Sequence, residues 1–102
     1  MQPGRAIHKV RLDKVRPAVI LTREVAASFL RNVSVAPITS TAHGIATEVS
    51  VGVRHGLDEA SVISCDNIMT VRADAVGELI GYLDDDAEAA LHQAIVAAFD
   101  LD

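Results

Sequence analysis

The chain has 102 residues, half of them hydrophobic, three aromatic and one a cysteine, and a net charge of −5. That length suits one domain over residues 1–102 with an aliphatic core; the lone Cys65 excludes an internal disulfide, and no apolar run approaches the about 18 residues that a membrane-crossing helix needs. The acidic total argues against a nucleic-acid binder, but residues 1–31 hold seven Lys/Arg against two Asp/Glu and residues 32–102 hold two against twelve, a division that predicts a basic surface built from the N-terminal third.

The opening MQPGRAIHKV lacks the apolar core of a signal peptide, so a reducing cytoplasm is the expected location. Residues 6–12 alternate, with Val10 and Leu12 on one face and Lys9 and Arg11 on the other, which predicts a half-buried strand. The apolar run at 17–22 predicts a second strand, with Pro17 at its first position. Residues 24–31 predict a short helix or a loop. Residues 32–39 predict a third strand, with Val33 and Val35 on one face. A turn at 42–45 holds His43 and Gly44. Residues 47–53 alternate most cleanly, with Val49, Val51 and Val53 against Glu48 and Ser50. A polar loop at 54–59 follows.

Residues 61–71 predict a strand broken near Asp66 and Asn67, and 76–83 a further strand that Gly77 and Gly81 allow to bend or pack closely. The last element is helical: Ala87, Ala90, Leu91, Ala94, Ile95, Ala98 and Phe99 recur at i, i+3 and i+4. Asp85 followed by Glu88 predicts a capping box, and the acidic first turn suits the helix dipole. Short antiparallel strands with one terminal helix predict a small barrel or a strongly bent sheet.

Most common chemistries have no foothold. His8, His43, His55 and His92 lie far apart, with no two at metal-ligand spacing. Asp84, Asp85 and Asp86 suggest a cation site, although helix capping explains them more simply. Cys65 sits in an apolar run and reads as a small buried hydrophobe rather than a nucleophile. There is no G-x-S-x-G, P-loop or G-x-G-x-x-G.

What remains is Arg16 and the hydroxyl cluster Thr39, Ser40 and Thr41. If the second and third strands pair as a long-loop hairpin with Thr22 opposite Val33, partners sum to 55, and Arg16 then faces Thr39 with Cβ atoms about 5 Å apart. Both stand at one rim, one beginning its strand and the other ending its own. A guanidinium fork beside a hydroxyl suits a phosphate, because the fork matches two non-bridging oxygens and keeps its charge. The plainer readings are an arginine paired with a carboxylate and a threonine that merely favours a strand.

Four motifs carry a family resemblance: RPAVILTRE at 16–24, APITST at 36–41, HGIATEV at 43–49 and GLDEASVISCDNIMTV at 56–71. In order and spacing the chain resembles the MazF/PemK toxins of bacterial toxin–antitoxin pairs, nearest their short mycobacterial branch. The resemblance covers nearly the whole chain. It implies a mainly β fold with a C-terminal α-helix, an SH3-like antiparallel barrel of the PemK/CcdB type. It also implies a homodimer, a metal-independent and sequence-specific endoribonuclease without cofactor, and a MazE-like antitoxin whose disordered tail blocks the site. By the same resemblance the R-P and I-T motifs carry the cleavage, which designates Arg16 and Thr39 as catalytic. Many members have a longer loop before R-P, whereas here only Asp13, Lys14 and Val15 intervene.

RNA carries its own nucleophile, the 2′-OH, so such a site need only align that oxygen and stabilise the added charge. Arg16 would clamp the phosphate and protonate the leaving 5′-oxygen. Thr39 would hydrogen-bond a non-bridging oxygen or relay a proton. The expected ends are a 2′,3′-cyclic phosphate and a 5′-OH. Arg11 and Lys14 are expected to steer the RNA backbone, and Ser40, Thr41 and Asn67 to contact bases or sugars. The scarcity of aromatics leaves few platforms for base stacking. The alternative is a non-catalytic toxin of the same barrel type that binds DNA gyrase.

Overall fold

The computed structural model describes residues 4–23, 26 and 29–101. Among the described residues seven strands run β1 (Ala6–Arg11), β2 (Val15–Ile20), β3 (Asn32–Thr39), β4 (Glu48–Val51), β5 (Ser61–Ser64), β6 (Met69–Arg72) and β7 (Val76–Tyr82), followed by helix α1 (Asp85–Phe99). Single 3₁₀ turns at Val53–His55, Cys65–Asn67 and Ala73–Ala75 join the later strands. Every pairing is antiparallel. The strand order is β4-β5-β3-β2-β1-β7, with β6 also against β3. Among the described residues β4 and β7 end the path, so the sheet curls into a half-barrel, in keeping with the mainly β fold and C-terminal helix expected.

Strand β3 is the hub. Its run VSVAPI is apolar at both parities, and both faces are buried. Ala36 and Ile38 enter the larger core with Ile7, Val19, Val49, Ile63, Leu83 and Leu91. Val33 and Val35 enter a smaller one with Val10, Ala18 and Ala75. Both cores are built from small and branched side chains, as so few aromatics require.

Helix α1 packs on the larger core through Ala87, Leu91 and Ala94. Burying a side chain such as Leu91 contributes about 1.5–3 kcal/mol. Its N-cap is Asp84 rather than Asp85: the Asp84 carboxylate accepts from the Ala87 N–H at 2.9 Å. The expected capping box does not form, because the cap at Asp84 puts Ala87 rather than Glu88 at the third helical position; Glu88 accepts from Arg5, at 2.6 Å from Nη1 and 3.2 Å from the backbone N–H. Phe99, assigned to the apolar stripe by periodicity, is half-exposed at the helix end.

Other boundaries shift for local reasons. β2 starts two residues earlier than expected, because Val15, Arg16 and Pro17 already pair with Arg11, Val10 and Lys9 of β1. β4 stops at Val51; Val53 lies exposed in the following turn. The loop expected to be polar at 54–59 instead plugs into the fold through buried His55 and Leu57. The break expected near Asp66 and Asn67 is the Cys65–Asn67 turn. The short helix or loop expected at 24–31 lies largely outside the described residues.

The Val53–His55 turn is locked against β7 by two glycines. A Cβ on Gly81 would collide with the His55 carbonyl, and one on Gly56 with the Ile80 carbonyl. Gly56 also has φ +93°, which side chains rarely adopt. His55 Nδ1 accepts from the Gly52 N–H at 3.1 Å, so its proton sits on Nε2, 3.3 Å from the Asp84 carboxylate. That approach is electrostatic only, for Nε2 has no aligned hydrogen bond. The close packing fixes residues 56–59, which wall the site.

Candidate functional site

The β1–β2 hairpin turns through residues 12–14, with the Leu12 N–H donating to the Lys14 carbonyl at 3.0 Å. β2 then pairs with β3 as Ala18↔Pro37, Val19↔Ala36 and Ile20↔Val35, each pair summing to 55. Continued, that register sets Arg16 opposite Thr39. The ladder itself stops at Ala18, beside Pro17 and Pro37, which have no N–H to contribute. From Ile38 onward β3 pairs with β5 instead, as Ile38↔Ile63 and Thr39↔Val62. The start of β2 and the end of β3 therefore part, and a cleft of about 290 Å³ opens between them.

Arg16, Thr39, Lys14 and Ser40 all line this cleft, together with Leu57, Asp58 and Glu59. A second groove of about 580 Å³ shares Arg16, Pro17, Leu57 and Asp58 and runs on past Lys9, Glu78 and Leu79. Arg16 thus stands where the two depressions meet. A strand headed by Arg-Pro makes physical sense here: the proline ends the ladder and the arginine occupies the opening.

The guanidinium is not solitary. Its Nε–H donates to Asp13 Oδ1 at 3.0 Å and an Nη2–H to Oδ2 at 3.2 Å. The hydrogen bond from Arg16 holds the Asp13 carboxyl down at about 2, aided by the Lys14 backbone. The same hydrogen bond raises Arg16 above its ordinary value. Arg16 is therefore a permanent cation and no proton acceptor. The carboxylate pairing considered from sequence does occur, yet it uses only two of five guanidinium N–H groups. Thr39 Oγ1 accepts from the Thr41 N–H at 3.2 Å, which leaves its own O–H to donate.

Three residues named from sequence stand outside this cleft. Arg11 reaches back to Asp74, donating to its carbonyl at 3.3 Å. Thr41 contributes its backbone to Thr39. Asn67 donates to Ser64 Oγ at 2.7 Å in the turn after β5. The expected basic surface is also largely neutralised: Arg5 pairs with Glu88 at 2.6 Å, Lys9 with Glu78 at 3.1 Å and Arg11 with Asp74 at 3.9 Å. Asp13, Asp58 and Glu59 were missed as site residues. For Asp13 a signal existed, an opposite charge three residues before Arg16 across a tight turn. Cys65 is buried, and desolvation first, then Asp66, pushes its thiol up to about 11.

Residues 6–99 match the sequence profile of the family described as "PemK-like, MazF-like toxin of type II toxin-antitoxin system". The chain belongs to that family. It is 54% identical over 98 residues to Endoribonuclease MazF3 of Mycobacterium tuberculosis strain H37Rv, covering 96% of this chain and 95% of that protein. The solved structure described as Mycobacterium tuberculosis toxin MazF-mt6 superposes with a TM-score of 0.93 at 54% identity, covering 96% of this chain and 99% of the other. A mycobacterial endoribonuclease solved in complex with its cognate antitoxin shares the fold, with a TM-score of 0.86 at 20% identity over 100% of this chain and 98% of its own. The rim that holds Arg16 and Thr39 thus lies within the family-matched span.

Proposed function

We propose that the chain is the toxin of a type II toxin–antitoxin pair and cuts RNA at the cleft between β2 and β3, with Arg16 and Thr39 as the catalytic residues. The observation that carries this reading is their common cleft: a fixed cation and a hydroxyl facing one opening, in a chain 54% identical to a protein named an endoribonuclease. Arg16 grips the non-bridging oxygens as the phosphorus gains charge, and Thr39 donates to one of them. The 2′-oxygen attacks in line, its proton passing to solvent. As the new O2′–P bond forms, the P–O5′ bond breaks and the 5′-oxygen takes a proton from solvent, giving a 2′,3′-cyclic phosphate and a 5′-OH. Lys14 holds a neighbouring phosphate, and Ser40 contacts the sugar or base beside it.

The gyrase-binding alternative is not favoured, since the curated relative at 54% identity is named for RNA cleavage. A homodimer and a MazE-like antitoxin complete the reading. The half-exposed Leu30, Phe99 and Leu101 supply apolar surface for association. The structural relative bound to its cognate antitoxin supports the second partner. The short turn at 12–14 leaves the rim open enough for a folded RNA loop.

The test is incubation of purified protein with total RNA in EDTA, followed by mapping of 5′-OH ends. Discrete ends that vanish in Arg16→Ala and in Thr39→Ala are expected. Intact RNA, or ends that persist in both variants, would contradict the proposal.

A further inference from the structure

We infer that Asp58 is a specificity-determining residue: its carboxylate accepts a hydrogen bond from the exocyclic amino group of a base beside the scissile phosphate, and so disfavours uracil there. The inference rests on the RNA-cleaving reading above and adds what the same cleft selects. The cleft lining carries both signs of charge. Lys14 and Arg16 suit a phosphate, whereas Asp58 and Glu59 repel one. Asp58 also lines the adjoining groove, so it stands with Arg16 where the two depressions meet.

Neither carboxylate is spent inside the protein. Asp58 and Glu59 are exposed, and among the described residues neither takes part in an ion pair. Arg16 turns to Asp13 instead. The two acids therefore keep their own oxygens available without occupying the guanidinium. Of the two, Asp58 is the better discriminator. It follows Leu57, which is buried and whose N–H donates to the Gly52 carbonyl at 3.3 Å. A short side chain one residue beyond an anchored backbone holds its oxygens more firmly than the longer Glu59.

An ionised carboxylate only accepts hydrogen bonds. With the scissile phosphate at Arg16, the RNA groups left to meet Asp58 are sugar hydroxyls and base edges. The hydroxyls are the same in every nucleotide, but the edges differ. Cytosine presents an amino group where uracil presents a carbonyl oxygen, and adenine and guanine carry amino groups of their own. A carboxylate attracts the amino group and repels the carbonyl. These edges are accessible in unpaired RNA loops. None of the residues lining the cleft is aromatic, so selection there has to come from hydrogen bonding and charge rather than stacking. At about 290 Å³ the cleft is at the small end of ligand pockets and suits one nucleotide.

The first measurement is the sequence of the ends released from an RNA library randomised around a mapped cut, for wild type, Asp58→Asn and Asp58→Ala, with thermal unfolding in parallel. At one position beside the cut, wild type is expected to prefer amino-bearing bases over uracil by about tenfold in kcat/KM. Asp58→Asn, whose amide can turn to suit either edge, and Asp58→Ala are expected to bring that ratio below about threefold, with uracil-containing RNA cut as fast or faster. The second measurement replaces cytidine at that position by the same pyrimidine lacking its amino group. Slower cleavage is expected in wild type and no change in Asp58→Ala. Unfolding temperatures are expected to stay within about 2 °C of wild type, as suits an exposed side chain.

An unchanged base ratio in both variants would overturn the inference, as would a wild type indifferent to uracil at every position beside the cut. An equal loss on every sequence would also overturn it, since a structural or proton-accepting role reads no base. If wild type cuts and Arg16→Ala does not, any of these results removes the assignment of Asp58 alone. If wild type leaves RNA intact, the functional reading falls and this inference with it.

Discussion

Gly81 offers a sharp test of how the site's wall is held. In β7 a Cβ at this position would strike the His55 carbonyl and approach Gly56 Cα at 3.4 Å, so the obstacle is backbone rather than a side chain that could swing away. Gly81→Ala must therefore push the Val53–His55 turn off β7, and residues 57–59, which follow it, carry the wall shared by both depressions. Overpacking of a tight contact costs about 1–3 kcal/mol, and rigid neighbours favour the upper end. With an unfolding entropy of about 2.1 cal/mol/K per residue, a chain of this size loses about 5 °C per kcal/mol, so Tm should fall by about 5–15 °C. Gly52→Ala is the matched control. Its nearest non-neighbour atom is Ala60 Cα at 3.7 Å and its φ of −175° is ordinary extended backbone, so its Tm should move by no more than about 2 °C. Differential scanning calorimetry at one protein concentration measures both, and RNA cleavage should weaken in Gly81→Ala alone. Equal Tm values for the two variants, or a larger loss in Gly52→Ala, would refute the packing argument.

Asp84 should make the helix pH-dependent. The hydrogen bond from the Ala87 N–H, helped by the nearby His55 ring and the Arg54 guanidinium, lowers its folded-state pKa below the ordinary carboxylate value. A depressed folded value stabilises the protein above the unfolded pKa, about 3.9, and the benefit is lost as pH falls through the folded one. Asp84→Ala should thus melt a few degrees below wild type at pH 7, with the gap closing below about pH 3.9, as chemical or thermal denaturation at each pH would reveal. Lys14 lines the cleft without a carboxylate partner among the described residues. Lys14→Ala should weaken RNA affinity uniformly across sequences and reduce the slope of log K against log salt by about 0.7, measured by fluorescence anisotropy with a 2′-deoxy substrate.

Much of the scaffold was legible because local and long-range preferences agreed. β3 matched its expected bounds: a run apolar at both parities suits a strand covered on both faces, and Ser40 with the following turn ends it. The β2–β3 register followed from one assumed pair, since a constant sum propagates along any antiparallel ladder. Helix α1 was visible in its spacing of small and aliphatic residues. What failed involved competition between partners distant in sequence. Glu88 suits a capping box by spacing from Asp85, but the cap sits at Asp84 and Arg5, 83 residues away, takes the Glu88 carboxylate. The basic third looked like an RNA-binding face, but Glu78, Asp74 and Glu88 neutralise its strand cations. Pro17 suggested a strand start, although β1 on the other side of β2 extends the strand to Val15. The Asp13–Arg16 pair depends on a tight turn that returns the carboxylate to the arginine, a geometry that residue spacing alone does not reveal.

The central claim is that Arg16 and Thr39 act on one phosphate, and a double-mutant cycle tests it most directly. Single-turnover cleavage rates of one RNA would be measured for wild type, Arg16→Lys, Thr39→Val and the double variant. Two groups bound to the same charged centre should be coupled, so the double variant should be slowed much less than the product of the two single effects. A loss equal to that product, within about twofold, would show that the two side chains act independently and would contradict the account.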